Sequence, residues 1–172
     1  FDPSLRTKLE EACAAGGTSL YVSGIEPGFA ADHLVLVLST LSRRITSVRT
    51  QELLSYADYP VTFTMFDVFG FGRPPERPCL VEIPGVQAGA WGPPVKMVAH
   101  HLGAELDEVR ETYEKRVTDR RLEVASGVIE AGTVGAVRFE TIGVIDGRDA
   151  IVIEHVKRMA PDIAQDWTVP EG

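Results

Sequence analysis

The residues of this chain best equipped for chemistry are carboxylates that stand near phenols. Glu26 lies in the run Gly24-Ile25-Glu26-Pro27-Gly28-Phe29, and Glu52 is followed by Tyr56 and Tyr59. A carboxylate beside phenols at a strand end can hold a polar substrate, or have its proton affinity shifted far enough for acid–base work. The competing reading makes Glu52 a surface strand residue and the two tyrosines the cap of a core. Pro27-Gly28 reads as a type II turn, because proline presets φ near about −65° and glycine tolerates positive φ. Such a turn would leave the amides around Phe29 at the start of a helix from Ala30, where an anionic or carbonyl group is favoured.

Other chemistries lack their spacing. His100 and His101 are adjacent, so on a helix they point about 100° apart and do not converge on one ion. His33 and His155 have no cysteine or carboxylate at ligand spacing and read as solvated or core-edge side chains. No Gly-x-Ser-x-Gly elbow occurs, and Cys79 lies among prolines with no His nearby in sequence. Cys13 reads as a small hydrophobe on an Ala-rich helix face. Gly70-Phe71-Gly72 and Gly132-Thr133-Val134-Gly135 match neither the dinucleotide fingerprint nor the phosphate loop, whose glycines let amides reach a phosphate at a helix start. The chain is therefore not expected to hold a nicotinamide cofactor, or a metal, by itself.

The elements that must position these residues alternate in type. Leu5 to Ala15 reads as a helix and Thr18 to Ser23 as a short strand. Ala30 to Leu41 reads as a helix with Asp32 in its first turn, and the Thr- and Val-rich stretch from Ile45 to Tyr56 as a strand with a polar side. Helix is favoured from Thr62 to Val68. Between Gly70 and Pro94 glycine and proline accumulate, which predicts a long loop with a short strand at Cys79 to Ile83. Pro93-Pro94 is expected to start a helix ending at Gly103, and Leu106, Val109, Tyr113 and Val117 at steps of three and four predict a second helix. Leu122 to Ile129 is a strand candidate, and Ala136 to Ile145 and Ala150 to Arg158 alternate around Asp146-Gly147, a hairpin signal. The order predicts an α+β fold, a mixed, largely antiparallel sheet with helices on one face. An open sheet face of this kind commonly serves as an oligomer interface.

Composition narrows the class. The 172 residues are 44% hydrophobic and 24% charged, enough for one domain with a real core. A formal charge of −8 and no Lys/Arg run longer than two residues argue against a nucleic-acid partner. Arg43-Arg44, Arg120-Arg121 and Lys157-Arg158 read as solvated positions. The longest apolar run, Leu34 to Leu38, is far below the roughly 20 residues that span a bilayer, so no membrane partner is expected. Two cysteines form no disulfide framework, and the reducing cytosol is the expected compartment. The chain opens on Phe1-Asp2-Pro3, without an initiator Met, and reads as the later part of a larger protein.

The ordered pieces resemble the C-terminal half of dihydrodipicolinate-reductase-like oxidoreductases, in the branch of 2,4-diaminopentanoate dehydrogenase and related amine dehydrogenases. They are Ala12 to Gly17 leading into a strand, Gly24 to Phe29 with Asp32, Gln51-Glu52-Leu53 with Tyr56 and Tyr59, Gly70-Phe71-Gly72, Ala99 to Gly103 with Leu106 to Val109, and Glu130 to Val134. The resemblance implies that residues 1–172 form one substrate-binding and dimerisation domain, with an N-terminal Rossmann half that binds NAD(P) lying outside this chain. It implies hydride transfer between the nicotinamide and a carbon–nitrogen double bond of a small-molecule substrate, in a homodimer. Glu26, Gly28, Phe29, Glu52, Tyr56 and Tyr59 would line the substrate pocket, with no catalytic residue assigned. The family turn usually carries Asn where Glu26 stands, and a negative charge there either favours an amine-bearing substrate or marks a divergent member with another ligand. No Lys/Arg cluster for a dicarboxylate is visible, which argues against dihydrodipicolinate. From another class, a noncatalytic ligand-binding or assembly domain complete as it stands also fits the apolar strands. A cofactor-free lyase or isomerase using Glu52 with a tyrosine is a third reading.

Overall fold

The computed structural model describes residues 3–22 and 24–167. Its centre is a hairpin whose turn, Asp146-Gly147, has φ of 51° and 69°, the two positive values that a two-residue type I′ turn requires. The flanking strands, β5 (Val134–Ile145) and β6 (Arg148–Arg158), pair antiparallel, and β2 (Glu108–Val117) adds antiparallel to β5. On the other side β1 (Val48–Ser55) joins β6 in parallel, giving a four-stranded sheet in the order β1-β6-β5-β2. A two-stranded ribbon, β3 (Leu122–Val124) with β4 (Gly127–Ile129), stands apart, so the Leu122 to Ile129 stretch is a hairpin and not one strand. The architecture is the expected mixed, largely antiparallel α+β sheet.

Helices α1 (Pro3–Gly16), α2 (His33–Ser39) and α3 (Val86–His101) complete the frame, with a π-helical turn at Phe63–Val68 and a 3-10 turn at Leu80–Glu82. α3 packs on one face of the sheet, and α2 packs on α3. The core on that face joins Met65, Phe69 and Phe71 of the connecting segment, Trp91, Val95 and Val98 of α3, and Val137, Phe139, Ile151 and Ile153 of the central strands. On the opposite face Ala136 and Val156 are covered by Ala160, Ile163 and Trp167 from the segment after β6.

Besides the ribbon, several elements differ from their sequence reading. The stretch from Leu106 to Val117 holds a strand where helical spacing predicts a helix. In β2 the alternation decides: Glu111 and Tyr113 reach to the α3 side, toward Gly85 and Phe69, while Arg110 and Thr112 reach Asp149 and Glu140 on the other. Pairing along ten residues of β5 outweighs a weak local preference. α3 begins at Val86, well before Pro93-Pro94, which lie inside it. Its free N-terminal amides are satisfied from β2, where the Glu111 carboxylate accepts from Gly85 and Ala88 at 2.9 and 2.5 Å. The buried Gln87 donates to the carbonyls of Val81 and Thr112, so the expected strand at Cys79 to Ile83 is a tight turn pinned under the helix.

Thr18 to Val22 pairs with no strand, and Leu20, Tyr21 and Val22 are 55, 72 and 82% exposed; Ser23 lies outside the described residues. The turn that follows is not type II: the Glu26-Pro27 peptide is cis, Ile25 bridges Gly28, and the cis-proline geometry belongs to the type VI class. Gly28 has φ of 143°, and a Cβ there would meet the Gly24 backbone at 2.4 Å, so only glycine fits. The amides expected to be free are used: Phe29 donates to Gly24, Ala30 to Ile25, and Ala31 and Asp32 to Gly28. No anion site forms at this turn.

Candidate active site

Side chains on the α3 face of the sheet fall into register across all four strands. Tyr113 of β2 stands opposite Phe139 of β5, Phe139 opposite His155 of β6, and His155 opposite Glu52 of β1. Tyr113 and Phe139 stack with centroids 6.4 Å apart, and Phe139 and His155 stack at 4.4 Å with 15° between planes. Trp91 of α3 lies over Phe139 and His155 at 5.0 and 4.8 Å. The row runs from an aromatic end into a charged one.

At the charged end, the turn after residue 24 brings Glu26 over His155. The ring Nε2 is 3.5 Å from Glu26 Oε1 and Nδ1 is 3.6 Å from Glu52 Oε1, and neither contact closes a hydrogen bond. One step along β6, Lys157 is paired to Glu52 and donates to the Tyr56 hydroxyl at 3.1 Å, while Tyr56 donates to Glu52 at 2.8 Å. The Lys157 ammonium also lies over the rings of Tyr56 and Phe69, 4.5 and 4.9 Å from their centroids. Burial pushes the Glu52 carboxyl up, but His155 beside it, the charge and hydrogen bond of Lys157 and the Tyr56 hydroxyl outweigh that and hold it at about 2. Burial pulls Lys157 down, against the upward pull of Glu52 and Glu26. Burial and the Glu52 charge both raise the Tyr56 phenol.

Glu26 and Glu52 face a hollow of about 810 Å³ between α2 and the free edge of β1. Its walls are Leu34, Val35 and Leu38 of α2 with Ile45, Val48 and Leu54 around β1. Arg49, a cation on this wall, is engaged with Glu140 and Glu154 at 2.8 and 2.7 Å. Buried polar atoms of Glu26, His155, Trp91 and Thr50 lack hydrogen-bond partners, a costly condition that marks places where a ligand or solvent completes the set.

Of the residues singled out in the sequence, Glu26, Glu52 and Tyr56 converge on this cluster, and Tyr59 packs edge-on against Tyr56 at 5.6 Å. Gly28 lines a separate hollow of about 270 Å³ with Gly24, Asp32 and Pro94, and Phe29 is half exposed. Two expectations are corrected: Lys157 is not a solvated position but 2% exposed, and His155 is not a core-edge ring but lies buried between two carboxylates. The spacing His155-x-Lys157 in an alternating strand was the available signal, since it puts both on one face. The fit to a dinucleotide is poor. The amides at the start of α3 are held by Glu111 and that of His33 at the start of α2 by Asp32, so neither helix start offers a phosphate its donors. Among the described residues no group of three or more His, Cys, Asp or Glu is placed to hold a metal ion, and no helix is long and apolar enough to cross a membrane.

A family profile described as the 2,4-diaminopentanoate dehydrogenase C-terminal domain matches residues 29–168. The chain belongs to that family. It is 39% identical over 169 residues to an amine dehydrogenase of Streptomyces virginiae, covering 98% of this chain and 47% of that protein. To the 2,4-diaminopentanoate dehydrogenase of Acetoanaerobium sticklandii it is 24% identical over 164 residues, covering 94% and 46%. The chain thus spans about half the length of the curated relatives it matches. The structure of an amine dehydrogenase from Mycobacterium smegmatis superposes with a TM-score of 0.55 at 13% identity, over 84% of this chain and 41% of that one, a likeness of fold.

Proposed function

We propose that this family domain is the substrate-side half of an NAD(P)-dependent oxidoreductase that acts on an amine or its imine. The observation that carries the reading is the pair of carboxylates, Glu26 and Glu52, in a hollow whose α2 wall is apolar (Leu34, Val35, Leu38) and whose cation, Arg49, is already engaged by Glu140 and Glu154. A cationic amine suits the carboxylates, and its hydrocarbon part suits the apolar wall. The coenzyme, bound mainly on a dinucleotide-binding half outside these residues, supplies hydride acceptance or donation. This chain's residues bind and orient the substrate nitrogen and hold protons near it. The exposure of Leu20, Tyr21 and Val22, a strand-like stretch with no partner, supports a second half against which it packs.

The far face of the sheet carries an ion network, Glu154 with Arg49, Arg138 and Gln51, beside buried Ile142, Val144 and Val152. We assign the part of this face that carries the ion network to a homodimer contact in a cytosolic protein. The cofactor-free reading with Glu52 as a base is disfavoured, because Glu52 is already engaged by the Lys157 ammonium and the Tyr56 hydroxyl, which favour its ionised form.

The test uses the full protein that contains this chain. Titration with NADH and NADPH is expected to show binding, and primary amines are expected to reduce the oxidised coenzyme. Glu26→Gln is expected to raise KM for amines at least tenfold. Failure of every amine and imine tried, with coenzyme bound, would sink the reading; light scattering at the mass of one protomer would sink the dimer.

A further inference from the structure

Among the described residues, His155 is the side chain that leaves two buried polar atoms without hydrogen-bond partners. Its ring is 1% exposed, it stacks on Phe139 with Trp91 tilted against it, and both nitrogens lack a hydrogen-bond partner. Each nitrogen nevertheless faces a carboxylate: Nε2 faces Glu26 at 3.5 Å and Nδ1 faces Glu52 at 3.6 Å. A small movement of either glutamate closes either bond. The two carboxylates are not equivalent. Glu52 is committed to Lys157 and Tyr56, whereas Glu26 Oε1 has no hydrogen-bond partner and borders the hollow.

From this asymmetry we propose that His155 is a positioning residue that exchanges the substrate's proton through Glu26, with the Glu52–Lys157 pair fixing its ring. The inference rests on the amine reading above. The ammonium N–H bond breaks and an O–H bond forms on Glu26. The electron pair stays on nitrogen, which becomes the neutral amine that oxidation requires. The proton then passes from Glu26 to His155 Nε2, restoring the carboxylate and leaving an imidazolium whose Nδ1–H points at Glu52. Glu52 remains ionised throughout, as the orienting group does in a nucleophile–base–carboxylate arrangement. In the reductive direction the same proton returns to the nitrogen.

The titratable groups about the ring are few: Glu26 from the turn and Glu52 from β1 face its nitrogens, and Tyr56 after β1 and Lys157 of β6 reach it only through Glu52. The helix and the neighbouring strand contribute Trp91 and Phe139, which do not titrate in the working range. Removing His155 should therefore alter the acid limb of the rate profile and not merely the rate.

The experiment measures kcat and KM for 2-aminobutane against pH in the full protein, for wild type, His155→Gln and Glu52→Gln. General acid–base help is worth about 10²–10⁴-fold, so an indirect contribution is expected to lower kcat of His155→Gln by at least about tenfold, with KM moved less than about threefold. The acid limb is expected to flatten or shift, and Glu52→Gln, which keeps the ring but frees it, to shift the same limb by less. A His155→Gln profile that superposes on wild type after scaling, in a folded protein, would overturn the proposal. Should the wild type oxidise no amine, the amine reading falls, and the ring nitrogens decide the proton question on their own. In nitrogen-detected NMR, Glu26→Gln and Glu52→Gln are each expected to move the His155 ring signals and their titration. Signals insensitive to both variants would overturn the exchange, as would failure of His155→Gln to fold together with an unmoved profile in Glu52→Gln.

Discussion

Lys157→Met tests the energetics of the site most directly, because methionine keeps the length of the stem and removes the ammonium, its charge and its hydrogen bonds to Glu52 and Tyr56. Lys157 is 2% exposed and the Glu52 side chain 14%, so the substitution leaves a nearly enclosed carboxylate without its cation. Removing one partner of a buried pair costs about 3–5 kcal/mol. Tyr56 still donates to Glu52, which places the expected loss near the lower end, about 3 kcal/mol at pH 7. Glu52→Gln/Lys157→Met, with no charge left to strand, is expected to recover at least half of that loss. The pH dependence adds a sign. The Glu52 carboxyl is lowered in the fold from 4.5 to about 2, so its contribution is fully present above about pH 4.5 and is lost as pH falls through 2. At about 1.36 kcal/mol per unit, and discounted for solvent screening, that contribution is about 2 kcal/mol. Urea unfolding of the full protein at pH 7 measures the first quantity, and its repetition near pH 3 the greater part of the second. In Lys157→Met the acid-side loss should shrink, because the carboxyl titrates closer to its ordinary value. Effects of the two single substitutions that add within about 0.5 kcal/mol, with an unchanged acid profile, would refute the coupling.

Two further outcomes follow from the scaffold. Glu111→Ala removes the carboxylate that accepts from the first amides of α3, and is expected to cost about 1–2 kcal/mol in chemical denaturation, with faster amide exchange confined to Gly85 and Ala88; a loss spread evenly over the helix would contradict the capping role. Deleting Ala150 is expected to abolish the near-ultraviolet circular dichroism of the aromatic row and the cooperative unfolding transition, and a retained aromatic signal would show that the strand had found another way to keep His155 inward.

How much of this was legible in the sequence divides along the range of the interactions. The β5–β6 hairpin was, since Asp146-Gly147 and the flanking alternation are local signals, and so were α1, α2 and β1. β2 was not: Leu106, Val109, Tyr113 and Val117 imitate a helix, and only the partner strand reveals that Glu111 and Tyr113 share a face. The true start of α3 was hidden because its cap, Glu111, comes from another element and not from its own N-terminal residues. Of the site, Glu26, Glu52 and Tyr56 were visible as residue types, whereas the His155-x-Lys157 spacing puts two side chains on one face but leaves unsaid that they meet Glu52 across about a hundred residues of chain. Even the hairpin left them undecided. Counting back from the Ile145–Arg148 pair would set Phe139 opposite Glu154.

The difference is Ala150, the residue of β6 without a counterpart where Gly143 pairs with Ile151 and Val144 with Asp149. A β-bulge of this sort turns over every side chain beyond it. On the opposite face lie Glu154, Val156 and Arg158; inward, because of one alanine, lie His155 and Lys157. A gain or loss of a single codon at this position would exchange the histidine and lysine of the crevice for the acidic and apolar residues of the opposite face. The lineage carrying this domain is thus free to vary the hairpin's tip in residue type, yet held to its length, and a relative with a hairpin one residue shorter should be expected to have rebuilt its chemistry from different side chains.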